Sequence, residues 1–112
     1  MAQFVLLLHE NPATFAQMSA EEMQKIIEEY TAWGTRMRER GLVRRSAKLE
    51  DAAGRVLKGS VVTDGPYTEA NEIIGGLFEI EAADYDGAVE IARGCPHTKY
   101  GTLEIRRIEI SH

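Results

Sequence analysis

The run Phe4-Val5-Leu6-Leu7-Leu8 is the strongest constraint on what this chain can fold into. It is continuously apolar, short, and bounded by the polar His9-Glu10-Asn11-Pro12. That combination reads as a strand buried on both faces. In a chain of 112 residues, helices can cover one face of a sheet, and the second face needs another cover. A second copy of the chain is the simplest one, so the run predicts a homodimer. The segment lacks the basic flank and the length of a secretory signal. No stretch approaches membrane-spanning length, so no membrane partner is expected.

The rest of the chain supplies the elements such a strand needs. Ser19-Ala20-Glu21-Glu22 is a capping box. Met23, Ile26, Ile27, Tyr30, Trp33 and Met37 follow at three- and four-residue spacing, one apolar helix face. Gly34 shares that face and would admit a close approach to a sheet; Gly41 ends the helix. Strands are expected over 42–49, 55–57, 60–63, 73–81 and 102–110. In the fourth, Ile74, Gly76, Phe78 and Ile80 fall on one side, and Leu77, Glu79 and Glu81 on the other. The phase of the last shifts between Ile105 and Ile108, which predicts a bulge or a frayed end. Asp84 caps a second helix closed by Gly94 and Pro96. The order β-α-β-β-(β)-α-β matches an α+β fold, a ferredoxin-like sandwich with two helices on one face of an antiparallel sheet. One domain over 1–112 is expected.

Composition narrows the function classes. A net charge of −5 gives no support to nucleic-acid binding. The basic run Arg36, Arg38, Arg40, Arg44, Arg45 and Lys48 has no interleaved aromatics, and half of it sits where a helix C-terminus favours cations. A single cysteine, Cys95, excludes an internal disulfide and points to a reducing, cytoplasmic setting. No metal-ligand spacing and no phosphate-binding glycine loop is present, so no cofactor or metal is expected.

Candidate site residues are few. Cys95 reads as a small buried hydrophobe. His97 lies in a polar loop before the last strand, where an imidazole titrating near neutrality could act as acid or base. His9 ends the first strand and is a further binding candidate. His112 ends the chain and is expected to be unordered. Asp64, in Asp64-Gly65-Pro66, could be a general base or could accept hydrogen bonds from its own turn. Tyr30 and Trp33 lie on the apolar helix face. A buried Tyr30 hydroxyl would need a partner.

The segment Asp64-Gly65-Pro66-Tyr67-Thr68-Glu69, followed by Glu72-Ile73-Ile74-Gly75-Gly76 and an alternating strand, resembles the DGPF-motif branch of the YCII-related proteins. Tyr67 stands where that motif usually has Phe. The opening strand, the capped helix ending in Arg40-Gly41-Leu42, and Gly101-Thr102-Leu103-Glu104-Ile105-Arg106 extend the likeness over the chain. The resemblance implies a ferredoxin-like subunit that pairs into a dimeric α/β barrel-like assembly. It also implies a substrate cleft between sheet and helices. In the YCII-type relatives a helix histidine and an aspartate before a late proline form a proposed active pair. Here those positions are Tyr30 and Cys95, so both members are replaced, and His97 becomes the imidazole nearest that place.

Three functions are therefore weighed. The first is a homodimeric binder of a small organic ligand in a cleft lined by Tyr30, Asp64, Tyr67 and His97, with Trp33 and His9 as further binding candidates. The second is a cofactor-independent isomerase or monooxygenase-like enzyme using His97 as acid/base with Asp64. The third is an accessory interaction module for a transcriptional regulator.

Overall fold

The computed structural model describes residues 1–68 and 71–109. Glu69 of the Asp64 motif, the end of the expected last strand and His112 lie outside the described residues. Strand β1 (Ala2–Glu10) leads through a short helix α1 (Pro12–Ala16) to the long helix α2 (Ala20–Glu39). Strands β2 (Val43–Lys48), β3 (Arg55–Lys58), β4 (Val61–Asp64) and β5 (Ile73–Ala82) follow. Helix α3 (Tyr85–Arg93), a 3₁₀ turn at Pro96–Lys99 and strand β6 (Thr102–Arg107) complete the chain. The main sheet has the order β2-β5-β1-β6, all neighbours antiparallel, which is the ferredoxin-like order. β3 and β4 form a separate hairpin inserted between β2 and β5.

Local chemistry explains the elements. Ser19 accepts from the Glu22 amide at 3.1 Å while Glu22 accepts from the Ser19 amide at 3.2 Å, so the capping box closes. At the other end Gly41 adopts a φ of 73°. There the Gly41 amide donates to the Arg38 carbonyl at 2.9 Å and the Leu42 amide to Met37 at 2.8 Å, a Schellman turn. Helix α1 is absent from the sequence expectation, although its signal is present: Asn11 caps the Ala13 amide at 3.0 Å and Pro12 occupies the first turn. Gly34 differs from expectation as well. A Cβ there would meet only the Phe78 ring, at an ordinary 3.6 Å, so the sheet does not require a glycine.

One face of the sheet carries the core. Phe4, Leu6 and Leu8 of β1 are buried with Trp33 and Met37 of α2, Phe78 and Ile80 of β5, and Ala88 and Ala92 of α3. Val5, Leu7 and His9, on the outer face, are only partly buried. The second cover that β1 calls for is thus not supplied by this chain. The bulge lies in β5, where Leu8 pairs with Gly76, His9 with Ile74, and Gly75 is skipped. That extra residue reverses the pleat, so Ile73 is buried and Ile74 turns outward, opposite to the simple alternation. β6 instead stops at Arg107 in regular register with β1. Among the described residues no helix is long and apolar enough to cross a membrane.

Candidate functional site

A cleft of about 440 Å³ opens between α2 and the sheet. Its walls are largely apolar: Leu8, Phe15, Met23, Ile26 and Phe78. Its polar lining includes Glu10, Tyr30, Lys48 and Asp51. This volume lies in the range that small-ligand sites occupy.

Glu10 is the unexpected member. It continues the alternation Phe4, Leu6, Leu8 onto the buried face and is 5% exposed. The space it fills exists because residue 75 is a glycine. A Cβ on Gly75 would lie 2.1 Å from Glu10 Oε1, and one on Gly76 would lie 2.8 Å from the Ala47 carbonyl oxygen. Gly75 is therefore the cradle for the Glu10 carboxyl, while Gly76 admits the close approach of β2. Burial raises the Glu10 pKa above the usual carboxylate range, and the negative charge of Asp51 adds to it. Lys48, whose Nζ is 2.7 Å from Asp51 Oδ1, partly offsets both.

The sign of this shift gives a prediction. A carboxyl whose folded pKa exceeds its unfolded value favours the fold most when protonated. That contribution is complete below the unfolded value and is lost as pH rises through the folded one. Glu10→Gln, which is neutral throughout, should therefore gain stability relative to the parent as pH rises. The gap should widen steadily as pH rises from acid to neutral, read by urea unfolding of both proteins. A constant difference across that range would show that Glu10 does not titrate against the fold.

Behind the cleft wall, Tyr30 and His97 come together. The Tyr30 hydroxyl lies 2.7 Å from His97 Nδ1, and His97 Nε2 lies 2.8 Å from the His9 carbonyl oxygen. His97 is 0% exposed and does not line the cleft. Burial pulls its pKa below the ordinary histidine value, more than its bond to the His9 carbonyl raises it. Burial likewise pushes the Tyr30 hydroxyl well above the usual tyrosine range. The Tyr30 ring stacks on Tyr100, whose hydroxyl donates to Glu29 at 2.8 Å. Cys95 is buried and free, and burial pushes its thiol up to about 11, which disfavours a thiolate nucleophile.

The remaining candidates sit elsewhere. Asp64, at the end of β4, is paired with Arg55 at 3.2 Å and its side chain is 91% exposed. Its loop turns at Gly65, with φ of 86°, whose amide donates to the Gly54 carbonyl at 2.8 Å. Asp64 therefore neither orients His97 nor lines the cleft. Tyr67 is exposed and, with His9, Ile73, Ile74 and Glu104, lines a separate open depression. His9 pairs there with Glu104 at 2.8 Å. Trp33 is core, packed edge-on against Phe78 at 5.0 Å. Arg44, Arg45 and Lys48 of the basic run are paired with Glu81, Glu79 and Asp51. Among the described residues no three His, Cys, Asp or Glu side chains are grouped to hold a metal.

Of the candidates read from the sequence, Tyr30 and His97 are brought together and Tyr30 lines the cleft; Glu10, Lys48, Asp51 and Phe15, which also line it, were not among them. Glu10 was legible in principle, since it continues the buried parity of Phe4, Leu6 and Leu8 along β1.

A ferredoxin-like α+β subunit with a ligand-sized cleft between its long helix and its sheet is the class that this geometry defines. Within it, the chain belongs to the YCII-related family, whose domain description matches residues 2–110. In sequence, no curated protein matches. In structure the chain is similar to the 5-chloro-2-hydroxyhydroquinone dehydrochlorinase of Burkholderia phenoliruptrix AC1100, in complex with 2,5-dihydroxybenzoquinone. The TM-score is 0.55 at 15% identity, covering 97% of this chain and 95% of that one. At that identity the likeness is one of fold.

Proposed function

We propose that this is a homodimeric small-molecule-binding domain whose ligand sits in the cleft between α2 and the sheet. The observation that carries the reading is the cleft itself: about 440 Å³, mostly apolar walls, and a buried carboxyl aimed in from Glu10. The dehydrochlorinase of similar fold, whose complex holds a ring-sized quinone, supports a ligand of that size. An open cleft fits an interaction module less well, since a module without pocket chemistry has no use for an unfilled interior. The DGPF-type branch and a cytoplasmic setting, suited to one free thiol, complete the reading.

An enzymatic version rests on the Tyr30–His97 bond. His97 would act only through the Tyr30 hydroxyl, because the ring itself is sealed behind it. Asp64 has no part in it.

Titration with small hydroxylated aromatics and quinones, followed by amide chemical shifts, tests the binding reading. Shifts are expected around Ile26, Tyr30 and Phe78. They should disappear in Gly34→Leu, which projects a side chain into the cleft beside Phe78. Shifts confined to the His9–Tyr67 depression, or unaffected by Gly34→Leu, would defeat the assignment of the cleft.

A further inference from the structure

The hydrogen-bond chain behind the cleft has a fixed direction. It starts at the His9 carbonyl oxygen, which can only accept. His97 Nε2, 2.8 Å away, must therefore carry the proton. In a neutral imidazole Nδ1 is then a lone pair, and the Tyr30 hydroxyl at 2.7 Å must donate to it. Complete burial of His97 favours that neutral ring. Tyr30 has one hydroxyl proton, and it is committed inward. What its oxygen offers the cleft is acceptor capacity alone.

The other polar end has the opposite character. Glu10 and Asp51 both line the cleft, and two neighbouring carboxyls do not readily ionise together. The Lys48 ammonium is paired with Asp51 at 2.7 Å. Glu10 is the more buried of the two, and its burial and the Asp51 charge both favour its protonated form against the opposing Lys48. The other elements around the cleft add Tyr30 and the Arg38 guanidinium from α2, Phe15 from α1, and at Glu10 itself the backbone of Gly75 from β5. Glu10 thus presents an O–H donor.

We infer that the cleft selects a small ring compound bearing both a hydroxyl and a carbonyl, the hydroxyl donating to Tyr30 and the carbonyl accepting from Glu10. This deepens the cleft-binding reading and rests on it. A ligand with the polarity reversed, or with its hydroxyl capped as an ether, leaves a lone pair facing the Tyr30 oxygen. Loss of a hydrogen bond at a desolvated acceptor corresponds to about tenfold in affinity.

The test uses acetophenone, its hydroxy isomers with the hydroxyl meta or para to the carbonyl, and the matching methoxy compounds. Binding is measured by amide chemical shifts in the full-length protein. At least one hydroxy isomer should bind about tenfold tighter than its methoxy partner, and Tyr30→Phe should erase that gap. Over the range in which the probe's own hydroxyl stays protonated, its affinity should also fall as pH rises in the parent and stay level in Glu10→Gln, whose amide still donates. A second measurement needs no variant: nitrogen spectra of isotopically labelled histidine should show His97 protonated on Nε2 and bare on Nδ1. Equal binding of hydroxy and methoxy probes, a gap that survives Tyr30→Phe, an affinity indifferent to pH, or a proton on Nδ1 would each overturn the polarity. If the probes bind without discrimination, the cleft reading stands and only this inference falls. If none binds, acetophenone included, both fall together.

Discussion

Gly101→Ala is expected to lower the melting temperature by about 10–15 °C, a loss of about 3 kcal/mol for a domain of this size. A Cβ at that position would stand 2.2 Å from the His9 carbonyl oxygen and 2.7 Å from His97 Nε2. Neither neighbour can give way cheaply. The His9 carbonyl belongs to β1, which is paired on both sides with β5 and β6. His97 is fully enclosed and already spans from that carbonyl to Tyr30. Any shift that relieves the clash lengthens the His97–His9 bond and leaves buried polar groups short of a partner. Gly34→Ala is the matched control, since its new methyl meets only Phe78 at 3.6 Å. That variant should melt at or slightly above the parent, because alanine is favoured over glycine inside a helix by up to about 1 kcal/mol. Calorimetry of the three proteins decides the point. A Gly101→Ala protein melting within a degree or two of the parent would mean that the His97 network has slack the geometry does not suggest.

The contrast between these two glycines shows what was legible in the sequence and what was not. The ferredoxin-like order could be read because each element announces itself locally: the Ser19 capping box, the Asp84 cap, the apolar face of α2, and the doubly apolar β1. Glycines that act through long-range approach do not announce themselves. Gly34 sits on the helix face nearest the sheet and looks like a contact glycine, yet it has room. Gly75, Gly76 and Gly101 are close-approach positions whose partners are Glu10, Ala47 and His9. Those partners lie far along the chain and come near only once strands are in register. The same distance in sequence hid the site's polar end. Glu10, Lys48 and Asp51 are drawn from two segments that only the β1–β5–β2 pairing brings to one cleft. Tyr30 and His97 were found separately, one as a helix aromatic needing a partner and the other as a loop imidazole. Their bond crosses 67 positions. The Asp64 turn misled for the opposite reason. Its local signal is strong, but it serves a hairpin that stands outside the main sheet.

On the proposed homodimer, Leu7→Asp is expected to leave a monomer at micromolar concentration, weakening association by roughly 100-fold or more. Leu7 lies opposite Leu77 in the register of β1 with β5, and Leu77 in turn lies opposite Ala47 of β2. Together with Val5 they form an apolar strip along the middle of the outer sheet face, with Val5, Leu7 and Leu77 partly buried and Ala47 exposed, and no other element covers it. Charged pairs flank the strip: Arg45 with Glu79 at 2.7 Å, and His9 and Arg106 with Glu104 at 2.8 and 3.4 Å. An antiparallel sheet facing water would alternate polar residues there, and β1 does not. A two-fold pairing of identical faces would set one Leu7 region against the other and cover all of it at once. An aspartate at the centre would then be desolvated against apolar neighbours, whereas in the monomer it would remain in water. Leu57→Lys is the control, because Leu57 is a similarly apolar residue, 68% exposed, on the separate hairpin. Light scattering behind a sizing column should report a dimer for the parent and for Leu57→Lys, and a folded monomer for Leu7→Asp. A parent protein that elutes as a monomer, or a Leu7→Asp protein that stays dimeric, would remove the outer face as the pairing surface. Either result would leave the doubly apolar β1 in need of another cover.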